Sequence, residues 1–212
     1  MPLKDLLHEN FPNLELRPPL FYGWDIGIRF ELGVEWFTDI DDHNSRYVRD
    51  CYNRAITLFE ALHSPTDDLY IVIDVNDYDK GKSLKQQLKN FSPYVKKSLL
   101  YRLKHQELPY IFPEEDEEGT YKTHRFTLTC KPSDMNYVRL LIAICNQDLG
   151  LRPRMLHRTY FVNINRKTIF HVYDDRGCDV LAASPSTLKD VYTRYNDWIL
   201  DYDRTKIEKL FK

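Results

Sequence analysis

The stretch TYFVNINRKTIFHVYDDRGCDVLA, residues 159–182, decides the fold because it holds three strand patterns in succession. TYFVNI and TIFHVY are apolar runs joined by Asn165–Arg166–Lys167, which is typical of a tight hairpin. CDVLA, residues 178–182, is a third apolar run that follows after a short polar segment. Three consecutive strands with short connections predict a C-terminal antiparallel meander of three strands.

Strand and helix patterns alternate in the part of the chain that precedes the meander. WDIGIRFELG, residues 24–33, alternates apolar and polar side chains, which is the period of a half-buried strand. LYIVIDV, residues 69–75, is continuously apolar, as in a strand covered on both faces. THRFTLTC, residues 123–130, predicts a further strand. Between the first two strands, residues 41–65 carry the apolar stripe of a helix.

The remaining helices are predicted from apolar spacing and from capping residues. For the helix over residues 41–65 we expect Asp42 or Asn44 as the N-cap. Residues 83–105 have helical spacing interrupted by Pro93, so a second half capped by Ser92 is expected. The other predicted features are a helix over residues 1–10, a helix capped by Ser133 and closed at Gly150, a helix from Ser184 with Trp198 in its buried stripe, and a final turn capped by Asp203.

Together these elements predict an α+β protein with a mixed sheet and helices packed on it. The early strand–helix–strand pieces suggest parallel neighbours, whereas the last three strands are antiparallel. We find no linker and no break in composition, so residues 1–212 are expected to form a single α+β domain.

The composition is that of an ordinary globular protein. The chain has 212 residues, a formal net charge of -2, 42% hydrophobic and 29% charged residues. It has no apolar stretch long enough to cross a bilayer and no secretory pattern at its N-terminus, so we expect a cytoplasmic location and no membrane partner. The four cysteines lack metal or redox spacing and are expected to be reduced core thiols.

The polar segment inside YDDRGCDV, residues 173–180, is the strongest candidate for a functional site. Asp174 and Gly177 occupy the first and fourth positions of a type I turn, with a positive φ expected at Gly177. Turn geometry does not require the other charges. We therefore interpret four residues as candidates for binding a protein partner at an exposed charged edge: Tyr173, Asp175, Arg176 and Asp179.

Other kinds of site are less well supported by the sequence. Asp74 and Asp77 near a strand end could join Asp174 and Asp175 in a carboxylate site for a metal, yet the histidines lack metal-ligand spacing. We therefore predict no metal, no cofactor and no catalytic residue. The basic run from Lys80 to Lys104 is better explained as the wet face of an amphipathic helix, so nucleic acid is not favoured as a partner.

Several motifs together resemble an uncharacterised bacterial family, one of the "domain of unknown function" groups common in Gram-positive bacteria. They are IRFELG (28–33), YNRA (52–55), YFVNI (160–164), YDDRGCDV (173–180) and YNDWILDYDR (195–204). The similarity covers most of the chain. It implies a cytoplasmic protein with no assigned activity, cofactor or catalytic residue, and some families of this type are immunity partners of toxins.

Two functions remain open at this point. The first is a non-catalytic protein-binding module, such as an immunity or antitoxin-type protein, whose carboxylates bind a basic partner. The alternative is a metal-dependent hydrolase that acts on phosphoesters through an Asp cluster.

Overall fold

The computed structural model describes residues 1–34, 45–78 and 92–212. The helices and strands of these residues are, in chain order, α1 (Leu3–Asn10), β1 (Gly27–Glu31), α2 (Arg46–Leu62), β2 (Leu69–Asp77), β3 (Lys104–Pro109), β4 (Lys122–Cys130), α3 (Tyr137–Cys145), β5 (Arg158–Asn163), β6 (Thr168–Val172), β7 (Gly177–Ala182), α4 (Pro185–Arg194) and α5 (Asp201–Glu208). None of the described helices has the length and apolarity needed to cross a membrane.

The described strands form one seven-stranded sheet in the order β1-β7-β6-β5-β2-β4-β3. Each pair of neighbouring strands is antiparallel, so the α+β class and the meander β5–β6–β7 are confirmed. The predicted parallel pairing is wrong. β1 and β2 run in the same direction, but β7, β6 and β5 lie between them. β4 and β5 also run in the same direction, and β2 separates them.

Both faces of the sheet are covered, and each face has its own apolar core. Helices α2, α3 and α4 cover one face, on which Phe30, Phe161 and Phe170 are buried. Residues 1–24 cover the opposite face and contribute Leu6, Phe11 and Leu20. We call this second face the N-terminal face of the sheet. Because side chains alternate along a strand, β2 is buried on both sides, as its continuous apolar sequence predicts.

Helix α2 confirms the prediction made from its apolar stripe. The predicted stripe is buried throughout: Tyr47, Cys51, Ala55, Leu58 and Leu62. Its N-cap is Ser45, whose hydroxyl accepts a hydrogen bond of 3.2 Å from the backbone N–H of Val48. The caps expected at Asp42 and Asn44 lie outside the described residues. All four cysteines are free and buried, as predicted.

The connecting segments differ from the prediction at several points. The helical segment expected after Ser92 is a turn followed by a 3-10 helix at Lys97–Arg102 and then strand β3, while residues 83–91 lie outside the described residues. Helix α3 begins after Asn136, whose side chain accepts from the N–H of Arg139 at 3.1 Å, and Ser133 is not its cap.

The last two helices also differ from what their sequence patterns predict. Helix α4 ends at Arg194, so Trp198 lies in a separate 3-10 turn. Its indole is half-buried and stacks on Tyr195 with ring centroids 4.8 Å apart, whereas full burial in the helix stripe was expected. Asp203 lies inside α5 and is buried, so it does not cap that helix.

Candidate functional site

A cavity of about 860 Å³ opens at the end of the sheet beside the β6–β7 loop. Its size is in the range of small-molecule sites in proteins. The described residues that line it combine arginine and histidine side chains with an apolar wall. The polar lining residues include Arg29, Arg158, His171, Arg176 and Asp179, and the apolar wall includes Pro18, Pro19, Phe112 and Leu156.

Strand register explains why residues distant in sequence meet at this cavity. Arg29 of β1 faces Asp179 of β7, and Asp179 faces His171 of β6. On the next strand, Tyr160 stacks on His171 with ring centroids 4.4 Å apart. These four side chains therefore form one row across four strands, on the N-terminal face of the sheet.

Asp179 serves as an anchor inside this row and is 1% exposed. Its Oδ1 accepts a hydrogen bond of 3.0 Å from Nε of Arg29, and its Oδ2 accepts one of 3.0 Å from the backbone N–H of Phe21. Asp203 adds a second carboxylate 3.5 Å from Arg29. Burial lowers the pKa of Arg29, but the hydrogen bond and charge of Asp179 outweigh it and hold this pKa above its ordinary value.

His171 lies on the floor of the cavity and is 2% exposed. Its Nδ1 is 2.9 Å from the carbonyl oxygen of Thr159. A carbonyl oxygen can only accept, so Nδ1 carries the proton. Burial lowers the pKa of His171 and favours the neutral ring, in which Nε2 is an acceptor. That Nε2 atom is buried and has no hydrogen-bond partner.

Arg158 is the lining arginine for which the described residues supply no carboxylate partner. Arg29 and Arg176 are paired with Asp179 and Asp174, whereas Arg158 donates from Nη2 to the amide oxygen of Asn76 at 2.5 Å. Its guanidinium carbon lies 5.2 Å from the ring centroid of Phe112, and its buried Nε has no partner.

Register also shows why Arg158 has been left without a carboxylate. Its partner across the β2–β5 ladder is Asp74. Both oxygens of Asp74 are taken by Arg125, at 2.8 Å from Nε and 2.7 Å from Nη2. The remaining carboxylate on this wall, Glu31, is on β1, three strands from Arg158 and so about 14 Å away at the usual strand spacing.

The β6–β7 loop confirms one part of the turn prediction. Asp174 is buried, and its Oδ1 accepts a hydrogen bond of 2.8 Å from the backbone N–H of Arg176. Its Oδ2 also accepts from the guanidinium of Arg176, which curls back over the loop. Asp174 therefore stabilises the turn through backbone and side-chain donors, as expected of Asp at a turn start.

The positive φ predicted for Gly177 is wrong. The described glycines with positive φ are Gly119 and Gly150, and Gly177 has ordinary strand geometry at the start of β7. What Gly177 provides is space. A Cβ at this position would lie 2.7 Å from the carbonyl oxygen of Phe30 and would overlap the hydroxyl of Tyr173.

The exposed charged edge expected from the sequence does not form. Asp175 is 3% exposed and accepts a hydrogen bond of 2.5 Å from the Tyr47 hydroxyl, and Asp179 is buried against Arg29. Burial raises the pKa of Asp175. Arg176 does face solvent, with 72% of its side chain exposed, and Tyr173 is half-buried with its ring centroid 5.6 Å from the Arg29 guanidinium carbon.

The carboxylates considered for a metal site have separate partners. Asp74 binds Arg125, Asp174 binds Arg176, and Asp175 binds Tyr47. Within residues 1–34, 45–78 and 92–212, no group of three or more His, Cys, Asp or Glu side chains could hold a metal ion. The basic run that begins at Lys80 falls partly outside the described residues.

The sequence interpretation missed Arg29, Arg158 and Phe112. Arg29 gave a signal, since it is a cation at a polar position of a half-buried strand. Its partner Asp179 is 150 residues away, and Tyr47 and Asp175 are 128 residues apart. No local pattern could join these pairs.

Comparisons with known proteins agree with the resemblance drawn from the motifs. The family described as "Domain of unknown function (DUF3885)" matches residues 3–203. The "Uncharacterized protein YnaE" of Bacillus subtilis (strain 168) is 31% identical over 211 residues, which cover 95% of this chain and 99% of that protein. No solved structure matches the chain significantly.

Proposed function

We propose that this chain, which belongs to the DUF3885 family, is a non-catalytic binding protein whose cavity takes a small organic anion. The anion is a carboxylate or phosphate attached to an apolar body. The observation that carries the proposal is Arg158, a cavity-lining guanidinium whose described neighbours include no paired carboxylate.

The charge of Arg158 favours an anionic ligand. Arg158 is half-buried, and a cation partly removed from water is stabilised by an anion or by several hydrogen bonds. Asn76 takes one N–H, and the buried Nε is unpaired. A carboxylate or phosphate would supply the missing charge, and the planar guanidinium favours both groups because it can donate two parallel hydrogen bonds.

The apolar wall of the cavity favours an organic ligand. Pro18, Pro19, Phe112 and Leu156 line it with apolar surface. Small-molecule sites in proteins are mostly apolar, with a few polar groups that orient the ligand. An inorganic ion alone would leave this wall in contact with water, so an organic anion fits the cavity better.

The proposal keeps the class of function predicted from the sequence and changes the partner. A basic protein bound at Asp175 and Asp179 was expected from an exposed acidic edge, and both carboxylates are buried. The immunity-type role stays a prediction that rests on the resemblance, as does the cytoplasmic location. The metal-dependent hydrolase also stays a prediction, although its carboxylates have separate partners.

Binding of simple aromatic anions tests the proposal. Isothermal titration with benzoate and phenyl phosphate should show binding, whereas benzylammonium, which has the same ring and the opposite charge, should not bind. Arg158→Gln should weaken binding of the acids by about tenfold or more, the effect of removing one charge-assisted hydrogen bond. Arg158→Lys should restore part of it.

Arg154→Gln is the matched control, because Arg154 is exposed and lies four residues away in the same segment. This variant should bind the acids as the parent does, and circular dichroism should show that all variants are folded. The proposal fails if neither acid binds, if benzylammonium binds as well as benzoate, or if the two glutamine variants behave alike.

A further inference from the structure

Three buried polar atoms without partners belong to neighbouring residues at the cavity, and two of these residues, Arg158 and His171, line it. The described residues contain five buried side-chain nitrogen or oxygen atoms that lack a hydrogen-bond partner, and Arg158 Nε, Tyr160 Oη and His171 Nε2 are three of them. Arg158 and Tyr160 are two apart on β5, and Tyr160 stacks on His171 of β6. Buried polar groups are normally paired, so such a cluster indicates a place where a ligand completes the hydrogen bonding.

We infer that the anion bound at Arg158 also carries a hydrogen-bond donor, a hydroxyl or an N–H group, which His171 Nε2 accepts. This inference rests on the proposed function and adds a requirement to it. A ligand with an acidic group alone would leave the histidine acceptor unpaired, and a ligand with both groups would satisfy both ends of the site.

The tautomer of His171 is fixed by the backbone. The contact of 2.9 Å from Nδ1 to the Thr159 carbonyl requires a proton on Nδ1, so the neutral ring presents a lone pair at Nε2. The ring is also held in place by the stack on Tyr160, with centroids 4.4 Å apart. Nε2 is thus an acceptor with a fixed direction before any ligand arrives.

The charged neighbours of His171 do not donate a hydrogen bond to its Nε2. Asp179, opposite it on β7, gives both oxygens to Arg29 and the Phe21 N–H. Asp74 on β2 gives both of its oxygens to Arg125. Arg158 can only donate, and its positive charge disfavours protonation of His171. Arg158 is therefore a donor, but its Nη2 donates to Asn76 and no hydrogen bond among the described residues joins it to His171. None of these groups donates to Nε2 in the structure.

The two ends of the site suit one small molecule. Arg158 and Tyr160 point to the same face of β5, and residues two apart on a strand are separated by ~7 Å. His171 lies beside Tyr160. A ligand with one ring between its acidic group and its donor can therefore reach both Arg158 and His171.

Pairs of substituted benzoates test whether the ligand needs a hydrogen-bond donor. We would titrate the protein with 3- and 4-hydroxybenzoate, with the corresponding methoxybenzoates, which lack the donor, and with unsubstituted benzoate. At least one hydroxybenzoate should bind about tenfold more tightly than its methoxy counterpart. His171→Phe keeps a stacked ring and removes the acceptor, so it should abolish this preference, with the ratio of hydroxy to methoxy affinities as the readout.

A second measurement does not depend on a variant. In imidazole ¹⁵N spectra of the parent protein, the Nε2 signal of His171 should shift when the preferred hydroxybenzoate is added and should stay in place with benzoate. His8→Phe is the control for His171→Phe in the titrations, since His8 is exposed on α1 and does not line this cavity.

The inference is overturned if the hydroxy and methoxy acids bind equally, or if the preference for the hydroxy acid survives in His171→Phe. In either case the proposed function still holds if benzoate binds and Arg158→Gln weakens that binding. If none of the acids binds, the proposed function fails, and the inference that rests on it fails as well.

Discussion

His63 is a titratable side chain enclosed in the apolar core. It is 4% exposed, its Nδ1 lies 2.7 Å from the Phe59 carbonyl oxygen, and its Nε2 is buried without a partner. Burial lowers its pKa from 6.5 to about 4. Because the folded pKa lies below the unfolded one, the stability linked to His63 is fully present above pH 6.5 and is lost as the pH falls from 6.5 to 4.

We predict that the free energy of unfolding falls by about 3 kcal/mol across this window because of His63, at about 1.4 kcal/mol per pH unit. Urea unfolding at a series of pH values measures it. His63→Phe should reduce the loss, and His8→Phe should not. Burial also lowers the pKa of His157 and His171, so part of the acid sensitivity will remain in His63→Phe. Identical pH profiles for the parent and His63→Phe would contradict the prediction.

At the scale of elements, the β6–β7 hairpin depends on close packing at Gly177. A Cβ there would lie 2.7 Å from the Phe30 carbonyl oxygen of β1 and would overlap the Tyr173 hydroxyl. Gly177→Ala should therefore cost about 1–3 kcal/mol of stability through overpacking. Gly23→Ala is the control, because a Cβ at Gly23 would make an ordinary contact of 3.4 Å with Leu14. Equal melting temperatures for the two alanine variants would show that this packing is not tight.

The strands and long helices could be predicted because their side-chain periods are local. The stripe of α2 and the alternation in β1 come from residues two to four apart, and both are buried as expected. The pairing of strands could not be predicted in the same way. β1 and β2 do run in the same direction, but nothing in either sequence reveals that three other strands lie between them.

The segment after Ser92 shows the limit of a pattern based on leucines. Leu99, Leu100 and Leu103 have spacing typical of a helix, yet the chain forms a 3-10 turn there and then strand β3. Each of these leucines is half-buried against the core that lies between the sheet and helices α2, α3 and α4. Apolar spacing therefore predicted that the segment packs on the core and did not predict the backbone conformation that achieves it.

At the scale of the whole molecule, the candidate site exists only after the sheet has assembled. β1 and β7 bring Arg29 to Asp179, and β6 and β5 bring His171 to Tyr160. The sequence identified the polar loop at Asp174 but not the strand positions that make a cavity beside it. Asp175 and Asp179 look available for a partner in the sequence but are paired inside the protein, because their partners, Tyr47 and Arg29, lie more than 100 residues away along the chain.

The two cores share one sheet, which predicts a single cooperative unfolding transition. Leu6 is fully buried on the N-terminal face, and Leu58 is fully buried under α2 on the opposite face. Because the strands between them belong to both cores, Leu6→Ala and Leu58→Ala should each cost about 2–5 kcal/mol and should shift the same transition.

Tryptophan fluorescence can follow the two faces separately. Trp24 packs on the N-terminal face, and its Nε1 donates to the Ala182 carbonyl oxygen at 2.8 Å. Trp198 packs against the core on the opposite face, which helices α2, α3 and α4 cover. Proteins that keep only one of these tryptophans, with the others changed to Phe, should unfold in urea at the same midpoint as the far-UV circular dichroism signal. In Leu6→Ala, both signals should move together to lower urea. If the Trp24 signal changed at lower urea than the Trp198 signal, residues 1–24 would be a separately unfolding cover on the sheet, and the expectation of one domain over residues 1–212 would be wrong.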